Sequence, residues 1–204
     1  MSKIAIIGAG GHTRSLLNLL KNKFQSSKLR IYDENFSYEE NELIEGVKVT
    51  GSLSAISDEE KILLSIGDNI LREKYFNQFN KKIIRENLFH KTSYIEKSVT
   101  LGSSNQIFAN AYINSSSQIG DNNIINTSAI LEHEVKIGNH NHISVGAKLC
   151  GRVCIEDRCF IGANATIIDK INICSDVIIG AGSVVIKNIT KAGTYVGNPA
   201  RRVN

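Results

Sequence analysis

The sequence predicts a chain of two fold classes, an α/β domain over residues 1–90 followed by an all-β parallel β-helix over residues 91–204. Three observations carry this expectation. Short apolar strands alternate with helical stripes through the first ninety residues. From Ile95 onward a large aliphatic side chain returns at every sixth residue. Isoleucine accounts for 30 of the 204 residues while tryptophan is absent, a skew that suits many short β segments sharing one narrow core.

The first half reads as follows. The apolar strand Ile4–Ile7 ends in Gly8-Ala9-Gly10-Gly11-His12, and a helix starting at Thr13 carries Leu16, Leu20 and Phe24 on one face. Leu29–Tyr32 is a second strand, closed by Asp33-Glu34-Asn35. Residues 61–66 are a third, closed by Gly67-Asp68-Asn69, and Leu71, Tyr75 and Phe79 give the next helical stripe. Ile83-Ile84 is a short fourth strand. Strands alternating with helices imply a parallel sheet with right-handed crossovers, whose ligands sit beyond the carboxyl ends of the strands. Those ends are residues 8–12, 33–35 and 67–69. Gly8-x-Gly10 matches the opening of the dinucleotide fingerprint, but Thr13 stands where its third glycine belongs. The domain is therefore Rossmann-like with a glycine loop ahead of a helix N-terminus, where backbone N–H groups and the helix dipole favour phosphate.

The second half obeys a six-residue rule. Stepping by six from Ile95 to Val185 gives sixteen positions and sixteen aliphatics, although Ile, Leu and Val make up only about a quarter of the chain. The position four later in each hexad is small or β-branched at Val99, Ala111, Ser117, Ala129, Val135, Ala147, Val153, Ala165, Val177 and Ser183. Asn105, Asn123 and Asn141 fall at the same position, where asparagines can stack as a ladder. An α-helix repeats at 3.6 residues, so a period of six excludes it. Each hexad instead forms one flat side of a parallel β-helix, and three sides close one coil. Coils stack at about the 4.8 Å spacing of β-strands, and sixteen hexads make a little over five coils.

Composition narrows the functional classes. The chain is 42% hydrophobic and 22% charged with a single proline, a globular mix. No apolar run is long enough for a membrane helix, and the start lacks the layout of a secretory signal. A formal charge of +4, from 24 basic and 20 acidic residues, is too mild to argue for nucleic acid. Cys150, Cys154, Cys159 and Cys174 contain no Cys-x-x-Cys pair, so reduced thiols of a cytoplasmic protein are expected and no metal site.

The ordered set Asn126-Thr127-Ser128, Leu131-Glu132-His133-Glu134, His142-Ile143-Ser144-Val145-Gly146-Ala147 and Gly197-Asn198-Pro199-Ala200, behind a Gly-Ala-Gly-Gly-His loop, resembles the hexapeptide-repeat acetyltransferases. Within them it is similar to the sialic-acid O-acetyltransferase and UDP-4-amino-sugar N-acetyltransferase group. The resemblance implies a left-handed β-helix, a homotrimer, and acetyl-CoA held in a groove between subunits. It implies acetyl transfer to the 4-amino group of a UDP-linked amino-dideoxy sugar.

Residue roles follow from the resemblance and from position. His133 occupies the third position of its hexad, at a corner, with Ser115 one coil before it and Gly151 one coil after it. An imidazole beside such a gap has room for a ligand and suits a general base near neutral pH. Glu134 is expected to orient it. Gly151 is a candidate backbone donor to the oxyanion of the tetrahedral intermediate. His142, half a coil further, is expected at a different corner, in contact with acetyl-CoA. Asn126 and Gly180 are also assigned to the cofactor site, and Lys187, Lys191, Arg201 and Arg202 are candidate partners of the coenzyme phosphates. Gly10, Gly11, His12, Asp33, Gly67 and Asn69 are the residues expected to bind UDP, whose binding energy would position the sugar amine.

Three alternatives stay open. The acceptor is a sialic-acid hydroxyl; His133, His140 and His142 hold zinc, as in one carbonic anhydrase class built on this helix; or the solenoid is a non-catalytic scaffold.

Overall fold

A computed structural model describes residues 3–20, 23–34 and 43–203. The chain divides into two compact units, Met1–Arg85 and Glu86–Asn204.

The first unit is a five-stranded sheet with two helices. In chain order it contains β1 (Ile4–Ile7), α1 (Gly11–Leu20), β2 (Leu29–Tyr32), β3 (Leu43–Ile44), β4 (Val47–Gly51), β5 (Lys61–Leu64) and α2 (Asn69–Gln78). The strand order is β3-β4-β2-β1-β5. β1 lies parallel to both β2 and β5, β2 lies parallel to β4, and only β3 runs antiparallel to its neighbour. β1 is buried along its whole length, as a central parallel strand covered on both faces must be.

Several local expectations change. The hairpin of β3 and β4 was not anticipated, although Val47, Val49 and Gly51 alternate inward along β4. α1 begins at Gly11 rather than Thr13. Thr13 is instead fully buried, donating its hydroxyl to the Gly8 carbonyl at 2.8 Å and accepting from the Ser65 hydroxyl at 3.1 Å. The residue replacing the third fingerprint glycine thus ties the glycine loop to the end of β5. Phe24 lies beyond the helix, and Ile83 forms only an isolated bridge with Ile62. α2 buries Asn69, Arg72 and Phe76, while Leu71 and Tyr75 are partly covered. Asp68 caps it, its carboxylate accepting from the Leu71 N–H at 2.7 Å. Asn35, expected to close β2, falls outside the described residues.

The second unit is a parallel β-helix of two-residue strands. Its first face carries Leu88–Phe89, Gln106–Ile107, Ile124–Ile125, His142–Ile143, Phe160–Ile161 and Val177–Ile179; the tail strands Gly193–Gly197 and Ala200–Arg202 extend this sheet to eight. The second face runs from Tyr94–Ile95 to Val184–Val185 in six strands, and the third from Thr100–Leu101 to Asn172–Ile173 in five. The solenoid therefore starts at Leu88, ahead of residue 91. Strand partners are offset by one coil, as in Ile125 with Ile143 and Ile143 with Ile161. The hexad aliphatics from Ile107 to Val185 form one continuous core, and each fully buried isoleucine contributes about 2 kcal/mol.

The corners share one backbone device. Ser104, Asn110, Ser116, Asn122, Ser128, Glu134, His140, Arg152, Arg158, Asn164, Lys170 and Asp176 all have φ between 54° and 63°. The left-handed conformation costs a non-glycine residue about 1–2 kcal/mol. Gly146 and Gly182 occupy the same position with φ of 66° and 67°, at no such cost. From Asn122 onward the compensation is regular, because each such N–H donates to a corner carbonyl of the preceding coil, as Asn122 to Ser103, Glu134 to Ser115 and Arg152 to His133, whereas the N–H groups of Asn110 and Ser116 donate to the hydroxyls of Thr92 and Ser98.

One corner is stitched from inside by the expected asparagine ladder. The backbone N–H groups of Asn105, Asn123 and Asn141 donate to the side-chain oxygens of Asn87, Asn105 and Asn123, each at 2.8 Å. Cys159 N–H continues the ladder to Asn141 at 2.6 Å. The amides donate in turn to carbonyls of the next coil, Asn105 to Gly120 and Asn123 to Gly138. All four cysteines are free, and burial pushes the Cys159 thiol up to about 12. Replacing Asn123 by alanine strands the buried Asn141 N–H and the Gly138 carbonyl. We expect a folded protein destabilised by about 2–4 kcal/mol in chemical denaturation; a smaller loss than about 1 kcal/mol would mean the ladder is not a stabilising element.

Candidate active site

His133 and Glu134 sit at the corner between the second and third faces, just after Leu131. Glu132 N–H is tied to the Leu149 carbonyl, Glu134 N–H to Ser115, and the His133 carbonyl receives Arg152 N–H, all at 2.9 Å. The Ser117 hydroxyl bridges the same turn, donating to the Glu132 carbonyl and accepting from Val135 N–H. Backbone bonds above and below thus hold both residues. Because Glu134 takes the left-handed conformation, its side chain turns back beside its neighbour. His133 Nδ1 lies 3.1 Å from Glu134 Oε2. A carboxylate is an acceptor, so Nδ1 carries the proton and Nε2 presents the basic lone pair. The two side chains are 47% and 54% exposed in the single chain, accessible to a ligand.

The ring lies over Gly151. A Cβ added there would stand 2.5 Å from His133 Cε1 and 2.6 Å from Nε2, so the glycine is what admits the imidazole. Among the described residues, the N–H groups of Cys150 and Arg152 bond to Ile167 and His133, whereas Gly151 N–H takes no part in that ladder. One coil further, Asp169 accepts from Arg152 at 2.8 Å, and that hydrogen bond holds its carboxyl below the usual range. The corner therefore presents imidazole, carboxylate and guanidinium in two adjacent columns, His133 and Asp169 in one and Glu134 and Arg152 in the other. Asn114 donates to Glu132 at 2.7 Å beside it.

His142 is not at a corner. It precedes the inward Ile143 in its strand, and alternation along a strand turns it outward from the flat first face. Asn126 Oδ1 accepts from Thr127 N–H at 2.8 Å, so its Nδ2 faces His142 Nε2 at 3.2 Å and makes that nitrogen an acceptor. Phe160 packs edge-on against the ring, 5.1 Å between centroids. His142 and Asn126 thus come together, on a different side of the prism from His133. His140 lies at a further corner, bonded through Nδ1 to Asn122. The three histidines do not converge within the chain.

Gly180 leaves room for the tail, since a Cβ there would stand 2.7 Å from Val196 Cγ1, and its N–H donates to Tyr195. Lys187, Arg201 and Arg202 line one cavity of about 290 Å³ with Tyr195 and Asn188. Lys191 does not line it.

In the first unit, a cavity of about 340 Å³ opens at the carboxyl ends of β1, β2 and β5. Gly10, Gly11, His12, Asp33 and Gly67 line it, with Glu34, Ser65, Leu71 and Tyr75 beside them. Asp33 Oδ2 accepts from Ala9 N–H at 2.7 Å, so this carboxylate holds the glycine loop. Asn69 is not a lining residue; its side-chain oxygen accepts from Arg72 at 2.8 Å behind the wall. Tyr75 was read from the sequence as part of a helix stripe. Burial, then the carboxylates Glu34 and Asp33, raise its phenol above the usual value.

Gly151→Ala is expected to leave the solenoid folded and turn the His133 ring away from its seat. A crystal structure or the His133 imidazole resonances would report it; an unmoved ring would show that the corner tolerates a methyl group.

Residues 3–79 match the PglD N-terminal domain, and residues 152–187 match the hexapeptide repeat of succinyl-transferase. No curated protein sequence matches the chain. Among solved structures, PerB from Caulobacter crescentus in complex with CoA and GDP-perosamine is 29% identical with a TM-score of 0.88, over 100% of this chain and 98% of that one. The acetyltransferase domain of PglB from Neisseria gonorrhoeae is 26% identical with a TM-score of 0.87, over the full length of both. Its complex with acetyl coenzyme A gives a TM-score of 0.85 at 26% identity, over 98% of each chain. With its amino-terminal domain, its repeats and this likeness from end to end, the chain belongs to the hexapeptide-repeat acetyltransferases.

Proposed function

We propose that the protein transfers the acetyl group of acetyl-CoA to the 4-amino group of a UDP-linked amino-dideoxy sugar, with His133 as general base. The observation that carries this reading is the His133 ring itself, seated over Gly151 with Nδ1 bonded to Glu134. That arrangement leaves the Nε2 lone pair beside Gly151, on a half-exposed corner that the backbone holds rigid.

The amine nitrogen forms its bond to the thioester carbon while Nε2 takes the proton it loses. Glu134 stabilises the imidazolium through Nδ1–H. Gly151 N–H is assigned to the developing oxyanion. As the carbonyl re-forms, the carbon–sulfur bond breaks and the imidazolium returns its proton to the departing thiolate. The products are an amide and the free coenzyme thiol, with His133 regenerated.

His142, Asn126 and Gly180 are assigned to the coenzyme, and the cationic cavity of Lys187, Arg201 and Arg202 to its phosphates. The reading includes a homotrimer. Support comes from Ile178 and Val145, large apolar side chains 47% and 45% exposed, on the face that carries His142 and at its following corner. Gly10, Gly11, His12, Asp33 and Gly67 are assigned to the nucleotide. No helix among the described residues is long and apolar enough to cross a membrane; a cytoplasmic location, where acetyl-CoA and nucleotide sugars are made, completes the proposal.

The test is a thiol-release assay over UDP-, GDP- and dTDP-linked amino sugars and sialic acids. GDP belongs in the panel because PerB is seen with GDP-perosamine. Turnover is expected with a UDP-linked 4-amino sugar. A preference for a guanosine sugar would correct the nucleotide, and turnover of sialic acid alone would remove the amine. His133→Ala is expected to fold and lose at least about a hundredfold in kcat; near-normal turnover would exclude this histidine as the base.

A further inference from the structure

Arg72 is the largest fully buried side chain among the described residues, with no exposed surface. It projects from the first turn of α2. Its Nη1 lies 3.1, 3.3 and 3.5 Å from the carbonyl oxygens of Ile66, Gly67 and Asp68, three residues in succession, and its Nη2 donates to Asn69 Oδ1. Burial pulls the guanidinium down to about 9, still charged at neutral pH. Burying such a group is costly and calls for a return.

The loop it holds is a wall of the cavity at the ends of β1, β2 and β5. Ile66 and Gly67 line that cavity; Arg72 does not. The carbonyls of both residues are therefore drawn inward, away from the ligand side. In a trans peptide the C=O and N–H point in opposite directions. Turning these oxygens inward removes partial negative charge from the wall, and the buried cation adds a positive field in a medium of low dielectric. Both effects favour an anion in the cavity. The glycine loop and the N-terminus of α1 face the same cavity through Gly10, Gly11 and His12.

We infer that Arg72 is a positioning residue for a nucleoside diphosphate, setting the peptide orientation of residues 66–68 without touching the ligand. Asn69 belongs to the same device. The inference rests on the nucleotide assignment proposed above and adds to it the residue that organises the wall.

The experiment measures binding of UDP, GDP and coenzyme A by calorimetry to the full-length wild type, Arg72→Met and Arg72→Lys, together with KM for the amino-sugar nucleotide. Arg72→Met is expected to weaken nucleoside diphosphate binding at least about tenfold, with coenzyme A binding within about twofold of wild type. Arg72→Lys keeps the charge but not the planar fork, so a partial loss is expected, read as a raised KM for the nucleotide sugar with kcat retained. If Arg72→Met fails to fold, Arg72→Lys carries the comparison. Wild-type diphosphate affinity in the folded variants would overturn the inference alone, as would a parallel loss of coenzyme A binding. A wild type that binds neither UDP nor GDP would overturn the nucleotide assignment and this inference with it.

Discussion

From Asn122 onward, the hydrogen bond from each left-handed corner residue to the carbonyl one coil below governs the geometry of the solenoid. It recurs at Asn122, Ser128, Glu134, His140 and Arg152 and onward to Asp176. Each bond locks the rotation of a corner relative to its neighbour, so third- and fourth-position side chains are projected in fixed directions. His133 and Glu134 inherit their pairing from this rule, since the carbonyl of one and the N–H of the other are both committed to the stack. The same two side chains on an ordinary loop would need binding energy to reach this orientation.

Several buried or half-buried polar side chains set the direction of peptide groups. The asparagine ladder does so inside a solenoid corner, Thr13 and Asp33 do so for the glycine loop, and Arg72 does so for the loop after β5. In each case a side chain satisfies backbone groups that burial would otherwise leave costly. In the first unit, Thr13 and Arg72 lie behind residues that line the cavity, whereas Asp33 lines it itself.

The two units answer different chemical needs. Strand ends and a helix N-terminus supply dipoles suited to phosphate, whereas the solenoid supplies a stiff edge for a proton-transfer group. In the proposed function, recognition and chemistry fall on separate units, so the residues assigned to the nucleotide can vary without disturbing the His133–Glu134 corner.

The period of six, the column Ser115–His133–Gly151 and the asparagine ladder could all be read from residue order, because a solenoid converts distance along the chain directly into position in space. Glycine-loop residues were legible for a similar reason: strand, loop and helix follow one another without interruption. His142 was misplaced by residue counting alone, since a flat face and a corner differ by one position in the hexad. The hairpin of β3 and β4, the departure of Asn69 from the cavity wall and the role of Arg72 were out of reach. Each depends on which side chains from distant segments compete for the same buried backbone groups, and that competition is resolved only when the segments pack.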